Sequence, residues 1–88
     1  MNHVAKVVRH YIIRNCVHEG AQREVTETTP LISSGLVDSL AMVSLLRFLE
    51  KKYEIHIPHS AATPAAFETI QSIADLVERF QATQLQRI

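Results

Sequence analysis

The sequence predicts an all-α fold: a small four-helix bundle of three main helices and one short one, with a long loop between helices one and two. Two observations carry this. Three stretches repeat apolar residues at the 3.6-residue period of an amphipathic helix. Helix-starting residues stand at the head of three segments, namely Asp38, Thr63-Pro64 and Thr69. At 88 residues, the chain is expected to form one domain over 1–88 with a single modest core.

The first helix is marked by Val4, Val7, Val8, Tyr11 and Ile12, with Lys6, Arg9, Arg14 and Asn15 on the wet side and Gly20 as a stop. From about residue 21 to 37 no period is sustained. Thr26, Thr28, Thr29, Pro30, Ser33, Ser34 and Gly35 are turn residues, and Leu31, Ile32 and Leu36 are expected to pin the stretch to the core. An ordered loop this long in so small a domain points to function. Asp38 then caps a second helix whose stripe is Met42, Leu45, Leu46, Leu49 and Tyr53. Ile55-His56-Ile57-Pro58 breaks the period. Thr63-Pro64 opens a short helical turn through Phe67, and Thr69 caps a last helix with Ile70, Ile73, Ala74, Val77 and Phe80 inside.

Composition narrows the function. Nine Lys and Arg balance nine Asp and Glu, so there is no general pull toward nucleic acid or an anionic membrane. No apolar run reaches the length of a membrane span. The alternating N-terminus lacks the h-region of a signal peptide, so a cytoplasmic protein is expected; Met1 reads as a genuine start and so as a free-standing domain, and zero net charge with no Trp gives no reason to expect other than a monomer. Two glycines exclude a Gly-rich phosphate cradle, and the lone Cys16 excludes an internal disulfide and a multi-Cys zinc site. Asp38 and Asp75 lie on different helices, which gives no acid–base pair. His56 and His59 have no further ligand cluster at recognisable spacing, and His3, His10 and His18 read as scattered surface residues; no metal is expected. Cys16 reads as a half-buried, inert thiol. Nothing fixes a histidine near Ser39, so no catalytic residue is assigned.

What remains is Gly35-Leu36-Val37-Asp38-Ser39-Leu40. At its simplest it is a capped helix start. Ser39 would also be the first residue of a helix whose free N–H groups and positive dipole end favour a phosphate ester. Such a site suits a serine that receives a phosphate-linked group rather than one that attacks.

From about Val4 to Phe80 the chain resembles the acyl carrier protein family. The resemblance lies in Leu31…Gly35-Leu36-Val37-Asp38-Ser39-Leu40, the Met42-to-Tyr53 helix, Ile55-His56-Ile57-Pro58 and the order of helices. It implies that a phosphopantetheinyl transferase places 4′-phosphopantetheine from coenzyme A on Ser39, with Asp38 as helix cap and transferase contact. The arm's thiol then holds cargo as a thioester, and the carrier itself catalyses nothing.

Fatty-acid carriers of this family are strongly acidic on helix two. Here the outward positions are Leu40, Val43, Ser44, Arg47, Glu50 and Lys51, a mixed face on which apolar contacts at Leu40 and Val43 would set recognition. The spacing Gly35-x-x-Asp38-Ser39 looks like the D-alanyl carrier branch, and Phe67-Glu68-Thr69-Ile70-Gln71-Ser72-Ile73 is similar to stand-alone aminoacyl carriers. The implied cargo is an amino acid or small acyl group. An adenylating acyl or aminoacyl ligase would load it and a downstream acyl-accepting enzyme would receive it. A fatty-acid or polyketide-type carrier and an unmodified helical adaptor are the alternative readings.

Overall fold

The computed structural model describes residues 3–16 and 25–85, with side chains through residue 83. Among the described residues three helices are formed: α1 (His3–Asn15), α2 (Ser39–Tyr53) and α3 (Ile70–Leu85). No strand occurs among the described residues.

Each helix buries one stripe. In α1 it consists of Val4, Ala5, Val8 and Ile12, which pack toward α3. Val7 and Tyr11, expected inside, are half-buried at its border. In α2 the fully buried residues are Leu45 and Leu49, whereas Met42, Leu46 and Tyr53 are half-buried and pack at the edge of the core. In α3 the buried stripe is Ile70, Ile73, Ala74, Leu76 and Val77, with Phe80 half-buried beside it. Val25, Leu31, Val37, Ile55, Ile57 and Phe67 complete the core from the connections. Among the described residues no polar or charged residue is buried with them.

The connections are held by hydrogen bonds as much as by apolar anchors. Beyond α2, Glu54 adopts the left-handed conformation (φ 53°), and the N–H groups of Glu54 and Ile55 both reach the Glu50 carbonyl. Ile55 and Ile57 then point inward around an exposed His56, the two-residue alternation of extended chain. The Ile57 N–H donates to Glu50 Oε2 at 2.9 Å, which ties this segment back to α2.

The expected short helix is present only as turns. Phe67 N–H reaches the carbonyls of Thr63 and Pro64, and Thr63 Oγ1 accepts from Ala66 N–H at 3.1 Å. Phe67 is fully buried at this point, so the chain dives into the core before another turn can add. Thr69 opens α3 as expected, through reciprocal bonds: Ser72 N–H to Thr69 Oγ1 at 3.0 Å and Thr69 N–H to Ser72 Oγ at 3.1 Å. Of the long connection between α1 and α2, residues 25–38 are described. Gly20 and His18, read as a helix stop and a surface histidine, lie outside the described residues.

Candidate functional site

Asp38 stands immediately before α2 in an extended conformation (φ −87°, ψ −178°). Its Oδ1 accepts from Ala41 N–H at 2.8 Å, and its carbonyl accepts from Met42 N–H at 2.8 Å. Both bonds define an N-cap, as the sequence suggested. Ser39 is therefore the first helical residue. It is exposed, and its hydroxyl makes no hydrogen bond with a described residue. The N–H groups of Ser39 and Leu40 are likewise without partners among the described residues, because the cap serves only the next two.

This donor set fits a phosphodiester on Ser39 Oγ: two N–H groups without partners among the described residues, at the positive end of a four-turn helix, on an exposed residue. The second oxygen of Asp38 makes no hydrogen bond with a described residue. A phosphopantetheine group would supply the reactive thiol that the chain does not place here.

Ser39 is positioned by a clamp. Glu68, in the turn before α3, accepts from Ile32 N–H (2.9 Å) and Ser33 N–H (3.0 Å) through one carboxylate oxygen. Its carbonyl accepts from Leu31 N–H at 2.7 Å. These bonds, led by the one from Ser33, hold the Glu68 carboxyl below its ordinary range. A second tie runs from Gln71 N–H to the Glu27 carbonyl at 3.1 Å. Leu31 is fully buried, and its carbonyl accepts from Val37 N–H at 3.0 Å. Gly35 turns the chain between them at φ +84°; a Cβ there would meet nothing within 4 Å, so the backbone angle alone calls for glycine. The loop thus delivers Asp38 and Ser39 from a fixed base.

Leu40, Val43, Ser44 and Arg47 recur at helical spacing on α2, and all four are exposed. Leu40 is 80% exposed and Val43 45%, which makes them the large apolar side chains left in water beside Ser39. Sequence reasoning placed the cap and set Ser39 and these four positions outside, as the structure has them. It missed Glu68, whose partners lie 35 and 36 residues away; the only available signal was an acidic residue directly before the Thr69 cap.

The remaining candidates stay apart from the site chemically. Burial and the Asp38 charge push the Cys16 thiol upward, away from the reactive thiolate form. His56 Nδ1 lies 3.4 Å from Glu50 Oε2, and no group of three potential metal ligands exists among the described residues. No helix among the described residues is long and apolar enough to cross a membrane.

A small protein, all-helical among its described residues, that exposes a serine at a capped helix start flanked by apolar side chains has the form of a carrier for a covalently attached arm. Comparison with known proteins agrees. Residues 13–80 match the family described as the phosphopantetheine attachment site. Over 64 residues the chain is 34% identical to a probable acyl carrier protein, PigG, of a Serratia species, covering 73% of this chain and 74% of that one. It is 31% identical over 85 residues to aminoacyl carrier protein 1 of Bradyrhizobium diazoefficiens, covering 97% of this chain and 84% of the relative. The chain belongs to the acyl carrier protein family and is a carrier of covalently attached 4′-phosphopantetheine. Carriers of this kind work with a phosphopantetheinyl transferase and with biosynthetic enzymes.

Proposed function

We propose that Ser39 is the attachment residue and that the arm carries an amino acid or small acyl group as a thioester between partner enzymes. The observation that supports this is the exposed hydroxyl of Ser39, which makes no hydrogen bond with a described residue, at the N-terminal end of α2. Asp38 serves both as cap and, through its second oxygen, as a contact for the transferase. Leu40, Val43, Ser44 and Arg47 form the face that partners read. The chain acts as one domain over 1–88, as a cytoplasmic monomer, and shuttles substrate without catalysing a step.

The amino acid or small acyl cargo is supported by the mixed helix-two face and by similarity to a protein named as an aminoacyl carrier. An adenylating ligase would form the thioester and a downstream acyl-accepting enzyme would discharge it. The test is intact mass after incubation with coenzyme A, Mg²⁺ and a broad-specificity phosphopantetheinyl transferase. One phosphopantetheine increment is expected on the wild type and none on Ser39→Ala, whose helical circular dichroism should match. An increment that persists in the variant would place the arm on another residue. Screening amino acids and short acyl groups with candidate ligases on the holo form then tests the cargo.

A further inference from the structure

A second recognition surface lies on the α1–α2 side of the molecule. The net charge of zero conceals a segregation: α1 carries Lys6, Arg9 and Arg14 with no acidic residue, and α2 carries Arg47, Lys51 and Lys52 with Glu50 as its one acid. Six of the nine Lys and Arg residues therefore sit on two adjacent helices.

Between these helices runs an open groove of about 610 Å³. Val7, Tyr11 and Phe48 give it an apolar lining, the two rings stacked with centroids 4.6 Å apart and planes 30° from parallel. Lys6, Arg14 and Lys52 line it as well, and no carboxylate does so among the described residues. None of the three cations has an ion-pair partner among the described residues.

We propose that this groove docks an acidic amphipathic segment of a partner protein, which sets an apolar side chain against Tyr11 and Phe48 and carboxylates against Lys6, Arg14 and Lys52. Charge complementarity selects the occupant, because cations flanking an apolar floor match carboxylates flanking an apolar residue. The stacking of Tyr11 on Phe48 covers one face of each ring, which disfavours a base-stacking single strand. The apolar stripe of α1 is committed to the core, which leaves little to insert into a lipid surface. The groove engages α1, whereas the face beside Ser39 lies on α2 alone, so a partner could hold the carrier here while the α2 face stays open. This inference does not rest on Ser39 being the attachment residue.

The test is an NMR titration of the full ¹⁵N-labelled chain with a synthetic acidic peptide of about 12 residues, one helical groove length of about 18 Å. The peptide sets Leu and Phe at helical spacing with glutamates beside them. Its Glu→Gln counterpart, an oligothymidine and anionic phosphatidylglycerol vesicles are run in parallel. Amide shifts are expected along Val7–Tyr11 and Phe48–Lys52. Affinity should fall about tenfold in Lys6→Glu/Lys52→Glu and for the Gln peptide, and change less than about twofold in Lys51→Glu, which reverses a single charge outside the groove. The milder Lys6→Gln/Lys52→Gln should fall in the same direction if the reversal disturbs folding. Ser39→Ala should bind as the wild type does. The proposal is overturned if the acidic peptide causes no shifts, if shifts centre on Leu40 and Val43, or if Lys51→Glu weakens binding equally. Oligothymidine or vesicles binding as tightly as the peptide would also overturn it.

Discussion

Replacing Asp38 separates its two proposed roles. In Asp38→Ala the 2.8 Å bond to Ala41 N–H disappears and α2 starts without a cap. Loss of such a cap costs about 1 kcal/mol, within a range of about 0.5–2. For a domain of this size that lowers Tm by about 4–8 °C. Asp38→Asn keeps an oxygen in the same place and removes only the charge. What it gives up is the interaction of a carboxylate with the helix dipole, about 0.3–1 kcal/mol at an exposed site, so its Tm should fall by less than that of the alanine variant. Modification should order differently: if the free carboxylate oxygen contacts the transferase, Asn should be modified slowly although it is folded. Thermal melts by circular dichroism, paired with initial rates of mass increment from coenzyme A, read both quantities on the same samples. An Asn variant that melts as low as the Ala variant would refute the hydrogen-bonded cap. One that is modified at the wild-type rate would refute the carboxylate contact.

Glu68 has its carboxyl held low by backbone donors, so its contribution to stability is present above the ordinary value of 4.5 and is lost as pH falls through its lower folded value. Glu68→Gln should therefore flatten the acid limb of stability below pH 4.5 and speed hydrogen exchange at Ile32 and Ser33, measurable by urea melts against pH and by NMR; an unchanged acid limb would contradict the clamp. Leu45→Ala should cost about 2–5 kcal/mol in chemical denaturation, since Leu45 is fully buried. Leu46→Ala should cost less, and equal losses would contradict the observed orientation of α2. The Tyr53 hydroxyl is buried without a hydrogen-bond partner among the described residues, and burial pushes its pKa up. Tyr53→Phe should thus be neutral or raise stability by about 1 kcal/mol, and a clear drop in Tm would reveal a partner for the oxygen.

Local signals translated faithfully into structure. Asp38 and Thr69 cap helices because short polar side chains can reach the first free N–H groups, a property readable from residue type and position. The stripes located all three helices for the same reason. Orientation was less legible: Leu45 and Leu46 are adjacent and chemically identical, and only packing in the shared core decides which is fully buried. The segment from Thr63 to Phe67 has the starting residues of a helix, yet tertiary burial of Phe67 ends it as turns. The Glu68 clamp could not be read at all, because carboxylate-to-backbone bonds across 35 and 36 residues leave no periodic trace. The charge segregation that frames the α1–α2 groove was hidden in a total of zero.

Cys16 acquires a different significance once the chain is seen as the support of a thioester. A second nucleophilic sulfur on the same molecule would compete for the cargo by intramolecular acyl exchange and strand it on the polypeptide, out of reach of the accepting enzyme. Exchange requires the thiolate. The half-buried setting of Cys16 and the neighbouring Asp38 charge both disfavour that form. If Ser39 bears the arm, the residue that caps its helix also works, beside burial, against the thiolate that self-acylation would need.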